Sequence, residues 1–248
     1  LGYSGVSREL CVQLAAFLNA GITPVVPAMG SVGASGDLTP MSYVAAALAG
    51  EREVFFRERR MPAAAALREA GLEPHRYRAK EPLALINGTA VMTGAAVLAV
   101  VRSGRIHAAA TAATALAVHA LAGHAHHFSP LIFAAKPFPG MIQCAEHLRE
   151  LLRAQADVAE ATEAEALQDP YSLRCAPHVL GVLGDALVWV QRWVETEANS
   201  GDDNPLLDPE TGEVLTGGNF YGGHVAFAMD SLKTAVASVA DLCDRQLA

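Results

Sequence analysis

The run AVMTGAAVLAVVRSGRIHAAATAATALAVHALAGHA, residues 90–125, decides the fold. Alanine, the strongest helix former, dominates it, and its apolar residues wrap most of a helical circumference, which predicts burial on all sides. At 1.5 Å per residue an unbroken helix here extends roughly 50 Å and needs partners along its length. Arg102, Arg105, His107 and His119 interrupt the run, so no stretch of about 18 uncharged, strongly apolar residues is expected, and a central bundle helix is favoured over a membrane span.

Working outward, Val6 to Ala20 reads as a helix with Leu10, Leu14, Phe17 and Leu18 on one stripe and Gly21 as its stop. Thr39 and Pro40 have the chemistry of a helix cap and first position for a helix running to Gly50. Glu53 to Arg60 breaks the pattern and predicts a short ribbon or turn, followed by a helix from Pro62 to about Ala70. Beyond the long run, helices are expected from Pro139 or Gly140 to Leu167, from Pro177 to the Asn199-Ser200-Gly201 stop, and from His224 onward. A polar excursion from Asp202 to Gly218 holds one strand-like piece, Glu213 to Leu215. The fold class is therefore all-α, a bundle of long helices with functional loops between them and minor short strands, read as a single helical domain over 1–248.

A formal net charge of -8 with no basic cluster argues against a nucleic-acid partner. The four cysteines, Cys11, Cys144, Cys175 and Cys243, show no Cys-x-x-Cys spacing, as in a reduced cytoplasmic protein with no zinc cassette. His124 and His127 share a helical face, but no carboxylate or cysteine stands at ligand spacing in the sequence, so no metal is expected.

The unusual segment is Gly30-Ser-Val-Gly-Ala-Ser-Gly-Asp-Leu-Thr-Pro40. Its glycines let backbone groups approach one another closely, as either an anion cradle or a backbone reaction requires. A phosphate loop needs Lys-Ser/Thr after its last glycine, whereas Asp37 follows here and would repel phosphate. A serine-hydrolase elbow needs a glycine where Asp37 stands. The remaining reading makes the triplet Ala34-Ser35-Gly36 the reagent. Attack of the Gly36 amide on the Ala34 carbonyl with loss of water, and loss of the Ser35 hydroxyl, would give a five-membered ring bearing an exocyclic methylene. The positive end of the following helix would favour such an electrophile.

Together with Leu85-Ile-Asn-Gly-Thr89, Gln168-Asp-Pro-Tyr-Ser-Leu-Arg-Cys175, Asp203-Asn-Pro205 and Gly217-Gly-Asn-Phe220, this loop makes the chain resemble the ammonia-lyases that build 4-methylideneimidazole-5-one (MIO) from an internal Ala-Ser-Gly. These are the histidine, phenylalanine and tyrosine ammonia-lyases and the related aminomutases. The resemblance covers essentially all 248 residues. It implies that MIO forms from Ala34, Ser35 and Gly36, that the ring takes up the α-amino group of an aromatic L-amino acid, and that a base then removes a β-proton as ammonia leaves. It further implies a homotetramer, and that the chain is the central part of a longer lyase whose catalytic tyrosine and some pocket residues lie outside this stretch.

The residue roles divide between local chemistry and this resemblance. Asn87, placed where a helix begins, has the chemistry of an N-cap, and the resemblance implies a polar contact near the ring and the substrate. Gln168, Tyr171 and Arg174 are spaced to share one face of a helical turn. Arg174 offers a planar two-point donor to a carboxylate; by resemblance it clamps the substrate while Tyr171 and Gln168 line the pocket. Tyr171 is also an acid/base candidate. Phe220 is a core anchor by default and a neighbour of the ring by resemblance. Substrate choice stays open: Gln168 to Cys175 and Ser31-Val-Gly33 are similar to the histidine enzymes, Asn87-Gly-Thr-Ala90 departs from their Asn-Gly-Thr-Gln, and Met41-Ser-Tyr43 is closer to the phenylalanine and tyrosine enzymes. An aminomutase and a catalytically inactive helical assembly protein are the alternative readings.

Overall fold

In the computed structural model of the chain, which describes residues 2–31, 36–153 and 168–248, Ser7 opens α1 (Arg8–Asn19) by accepting a hydrogen bond from the Leu10 amide at 3.2 Å. The architecture that follows is all-α with two small antiparallel sheets. It divides into two compact units, Leu1–Ala95 with Thr196–Gly223 and Ala96–Glu195 with His224–Ala248.

In the first unit α1 buries Leu10 and Phe17, whereas Leu18, expected on the same stripe, is 77% exposed. One residue beyond Phe17 the helix has turned through about 100°, which carries that side chain off the buried face. The expected ribbon is a hairpin, β2 (Glu53–Phe56) and β3 (Arg59–Pro62), extended by β1 (Thr23–Pro24) on the far side of β2. Arg57 and Glu58 between them both have positive φ, the backbone of a tight turn matched to strand twist. Val54 and Phe56 alternate inward and join Leu48 of α2 (Leu38–Leu48) and Ala66 and Leu67 of α3 (Ala63–Ala70) in one core with Leu10 and Phe17. α4 (Glu81–Ile86) completes this layer. The buried Glu81 accepts from the amides of Arg78 at 2.8 Å and Ser7 at 3.0 Å and faces His75 Nε2 at 3.2 Å, so one carboxylate joins the entry to α1 to the entry to α4. Tyr77 donates to the Ala45 carbonyl at 2.6 Å. Burial, helped by the Glu81 charge, pushes its hydroxyl up to about 12, so it stays a donor and no base.

α5 (Ala90–Ala120) starts in the first unit and continues into the second. It is shorter than the sequence pattern suggested, because Ala122 turns with positive φ and a 3-10 segment follows at Ala125–Phe128. Burial on all sides is not achieved by this chain: Leu98 is 58% and Leu116 60% exposed. By length and composition alone, the helical runs Glu81–Ala120 and Tyr171–Ala198 are long and apolar enough to cross a membrane, which corrects the expectation that no such stretch exists.

The second unit continues with α6 (Pro130–Ala134), α7 (Pro139–Arg153), α8 (Tyr171–Arg174), α9 (Ala176–Ala198) and α10 (Gly223–Leu247). The sequence reading carried the helix of α7 on to Leu167; residues 154–167 lie outside the described residues. α10 buries Val225, Ala228, Leu232, Ala235, Val239 and Leu242, a helical stripe of three- and four-residue steps. α7 and α9 meet through glycine. A Cβ on Gly181 would lie 2.5 Å from the Met141 amide nitrogen, and one on Gly140 2.3 Å from the Gly181 carbonyl. Asp185 seals the contact by accepting from the Gly140 amide at 2.7 Å. Gly181→Ala is therefore expected to destabilise the protein by about 3 kcal/mol, since backbone rather than a flexible side chain must give way. Urea unfolding of the parent and the variant checks this, and an unchanged midpoint would mean that the helices separate freely.

The hairpin β4 (Leu206–Leu207) and β5 (Val214–Leu215) belongs to the first unit, and Leu207 donates its amide to the Tyr3 carbonyl at 2.7 Å. The sequence pattern located only the second of these strands.

Candidate active site

Three of the sequence motifs meet in the first unit on the loop 201–204. Asn87 is the C-cap of α4 with extended backbone, not the N-cap that its position suggested. Its amide nitrogen instead donates across the chain to the Asn204 carbonyl at 3.2 Å and to Asp203 Oδ1 at 3.4 Å. Gly88 has a φ of +146°, and a Cβ there would meet the Asp202 carboxylate at 2.7 Å, so only glycine admits that carboxylate. Asp202 uses the space to accept from the Thr89 amide at 2.7 Å and the Thr89 hydroxyl at 3.0 Å, and Glu197 accepts from the same hydroxyl at 2.7 Å. Asp203 is buried and pairs with Lys80.

The Gly217–Phe220 turn is fastened to the same loop. Asn204 Oδ1 accepts from the Gly217 amide at 2.8 Å, and the Asn219 side chain donates to the Gly201 carbonyl at 2.9 Å. Phe220 is half-buried in the turn closed by the Tyr221 amide on the Gly218 carbonyl. The chain then passes so near α5 that a Cβ on Gly222 would lie 2.3 Å from Met92 Sδ.

The glycine loop is fixed at its C-terminal end. Ala34 and Ser35 lie outside the described residues; Gly36 is half-buried, and its carbonyl accepts from the Ser31 hydroxyl. Asp37, not Thr39, is the N-cap of α2, yet its side chain caps a different helix. Buried at 3% exposure, its carboxylate accepts from the Val91 amide at 2.7 Å and the Met92 amide at 2.9 Å, the free donors that open α5. A cavity of about 220 Å³ flanks the loop, lined by Met29, Gly30, Ser31, Thr39, Tyr43 and Val91 among others. Asp37 was read from sequence only as a group hostile to phosphate; its partners lie 54 residues away, beyond any local signal.

Gln168, Tyr171 and Arg174 belong to the second unit. They do not share one helical turn: α8 is only Tyr171–Arg174, and Gln168 sits exposed in a bend, because Asp169, directly ahead of Pro170, is pushed out of the helical region and keeps the helix from extending back to Gln168. Tyr171 and Arg174 do meet, the guanidinium carbon lying 5.6 Å from the ring centre. Tyr171 is 67% exposed, and Arg174 is half-buried with an Nε that has no hydrogen-bond partner among the described residues. A guanidinium N–H in such a half-buried setting has the chemistry to donate to an anionic acceptor. Gln246 braces the turn from α10, its amide donating to the Ser172 carbonyl at 3.0 Å and to Thr114 of α5 at 2.9 Å.

Asp169, just ahead of this turn, reaches the histidines that sequence spacing left without a carboxylate. It accepts from the His124 amide at 2.7 Å and faces the His124 Nδ1 at 2.7 Å, while His127 Nε2 accepts from the Asp169 amide at 3.2 Å. Burial alone would raise the Asp169 carboxyl, but the hydrogen bonds from His124 outweigh it and the net shift is downward. Burial, and then the neighbouring His126, lower His127.

A family model described as aromatic amino acid lyase matches residues 1–248. A histidine ammonia-lyase of Geobacillus kaustophilus is 45% identical over 246 residues, which cover 99% of this chain and 48% of that protein. Among solved structures, the histidine ammonia-lyase from Trypanosoma cruzi superposes with a TM-score of 0.90 at 35% identity, covering 99% of this chain and 46% of that one. A Pantoea agglomerans phenylalanine aminomutase also gives 0.90, at 32% identity, covering 99% and 50%. The chain thus spans about half the length of the curated relatives it matches.

Proposed function

The chain belongs to the aromatic amino acid lyase family, and on that premise we propose that it supplies the electrophile-forming part of an ammonia-lyase, one that eliminates ammonia from histidine, phenylalanine or tyrosine to give an arylacrylate. Histidine stands first among these because the Geobacillus kaustophilus and Trypanosoma cruzi relatives are histidine ammonia-lyases. The observation that carries the reading is the convergence in one unit of the Asn87 turn and the Phe220 turn on loop 201–204, with the glycine loop fastened by Asp37 to the start of α5.

Ala34, Ser35 and Gly36 would supply the ring. The fit to this chain is good: Gly36 has no Cβ to obstruct attack, its carbonyl is held by Ser31, and Asp37 anchors the next residue. When present, MIO supplies an electrophile for the α-amino group and turns that nitrogen into a better leaving group. Phe220 would stand beside the ring and Asn87 would offer it a polar contact. Arg174 binds the substrate carboxylate, using the N–H that lacks a partner among the described residues, with Tyr171 and Gln168 as neighbours in that pocket. Tyr171 is the acid/base candidate within this chain, while the principal base for the β-proton comes from elsewhere in the longer lyase. Removing so weakly acidic a proton requires a positioned base and a site closed to water.

The 248 residues act as a helical domain in the middle of that lyase. The protein is a cytoplasmic homotetramer with no membrane or nucleic-acid partner, in which the exposed apolar side chains of α5, Leu98 and Leu116 among them, are covered by the rest of the chain and by neighbouring subunits.

Intact mass of the full-length protein tests ring formation, which removes two waters; an unmodified mass would end the proposal. Incubation with histidine, phenylalanine and tyrosine, followed by ultraviolet absorbance of the arylacrylate, then identifies the substrate. The match to a phenylalanine aminomutase favours one second reading, the aminomutase, whose signature is a β-amino acid in place of free ammonia. Arg174→Lys is expected to lower kcat/KM by about 30-fold, or about 2 kcal/mol, because an ammonium lacks the planar two-point donor. Steady-state kinetics on the preferred substrate measure it, and parent-like constants would remove Arg174 from the pocket.

A further inference from the structure

We propose that His124, His127 and Asp169 form a site for one divalent transition-metal ion, with Zn²⁺ or Co²⁺ as the fitting class. Each residue offers one ligand atom, and the three atoms lie within 4.8 Å of one another. His124 and Asp169 are already in contact at 2.7 Å, and His127 Nε2 stands 3.6 Å from the second carboxylate oxygen. Tetrahedral coordination with bonds of about 2.0–2.1 Å spaces its ligand atoms about 3.4 Å apart, so the rings need shift by only about 1 Å.

The groups are neither loose nor sealed. Their side chains are 22%, 11% and 9% exposed for His124, His127 and Asp169, which gives an ion a route in while holding the ligands. The backbone is fixed around them by the His124 amide on Asp169 and the Asp169 amide on His127 Nε2. That second hydrogen bond already points the Nε2 lone pair of His127 inward. On loading, His124 carries its ring proton on Nε2 and presents Nδ1 to the ion, and the Asp169 amide releases His127.

Two imidazoles and one carboxylate suit zinc and cobalt, whereas calcium and magnesium favour oxygen donors throughout. Three protein ligands leave a fourth position open for water or an added anion. The His126 ring lies beside both ligand rings, with centres 4.2 Å from His127 and 5.0 Å from His124, yet it is not one of the three. Because Asp169 adjoins the turn that carries Tyr171 and Arg174, a bound ion would hold that turn to the 3-10 segment at Ala125–Phe128. The site stands independently of the lyase reading.

Full-length protein stripped with chelator and titrated with Co²⁺ provides the test. One equivalent should bind per chain with the intense visible absorption of four-coordinate cobalt, and Zn²⁺ should displace it. His124→Ala and His127→Ala should each weaken Co²⁺ binding by about 100-fold, while His126→Ala should leave it within about threefold. Circular dichroism establishes that each variant is folded. Should both ligand variants misfold, histidine ring ¹⁵N shifts of the parent take their place, and Zn²⁺ should move two rings, those of His124 and His127. Absence of saturable binding by the parent, binding that survives both ligand substitutions, or loss of binding in folded His126→Ala would each overturn the proposal.

Discussion

Full-length protein carrying Ser35→Ala is expected to release ammonia more slowly than its parent by at least 10³-fold, about 4 kcal/mol of barrier, with an unchanged helical circular dichroism spectrum. Alanine has no hydroxyl to lose, so the ring can close but cannot acquire its exocyclic methylene, and the electrophile is missing. Intact mass separates the two events: the parent is lighter than its sequence by two waters and the variant by no more than one. The change removes one oxygen from a loop whose end is tied down elsewhere, by Asp37 on the Val91 and Met92 amides, and this is why the fold should survive it. Retained activity would mean that the triplet is not the reagent.

The second large effect is on stability. Glu81 is 1% exposed and accepts from the amides of Arg78 and Ser7, with His75 beside it. Those hydrogen bonds, the Arg78 amide foremost, outweigh its burial and hold its carboxyl at about 2, against an ordinary value of 4.5. A carboxyl depressed in the folded state stabilises the fold fully above the unfolded value and loses that contribution as pH falls towards the folded value. Urea unfolding should therefore show stability declining from about pH 4.5 down towards pH 2. Glu81→Gln should lower stability by about 3 kcal/mol at neutral pH and flatten that slope, since two backbone amides lose a charged acceptor. An acid profile identical to the parent's would show that Glu81 is not the titrating group.

Much of the scaffold was legible because it is local. Alanine-rich runs and the Gly21 stop announce helices from neighbouring residues alone, and the break in helical pattern from Glu53 to Arg60 announces the ribbon. The site was legible as motifs whose purpose was partly misread. Asn87 looked like an N-cap because a helix starts three residues later, yet its partners are Asp203 and Asn204, more than 110 residues away. Asp169 was passed over because no ligand spacing connects it to His124, 45 residues earlier. Gln168 was placed on a helix that Pro170 does not allow to extend back that far. The solvent-facing side chains of α5 illustrate the converse limit: an apolar circumference shows that a helix is to be covered without showing by what.

The grip of Asp37 on the first amides of α5 also sets an order of events. A loop that condenses on itself would be harmful if it did so on the ribosome, before the surrounding chain could define one geometry. Its anchor does not exist until residues 91 and 92 have been made and their helix has begun. Under the proposed chemistry, maturation therefore waits for folding, and the unfinished chain remains an ordinary, unreacted polypeptide.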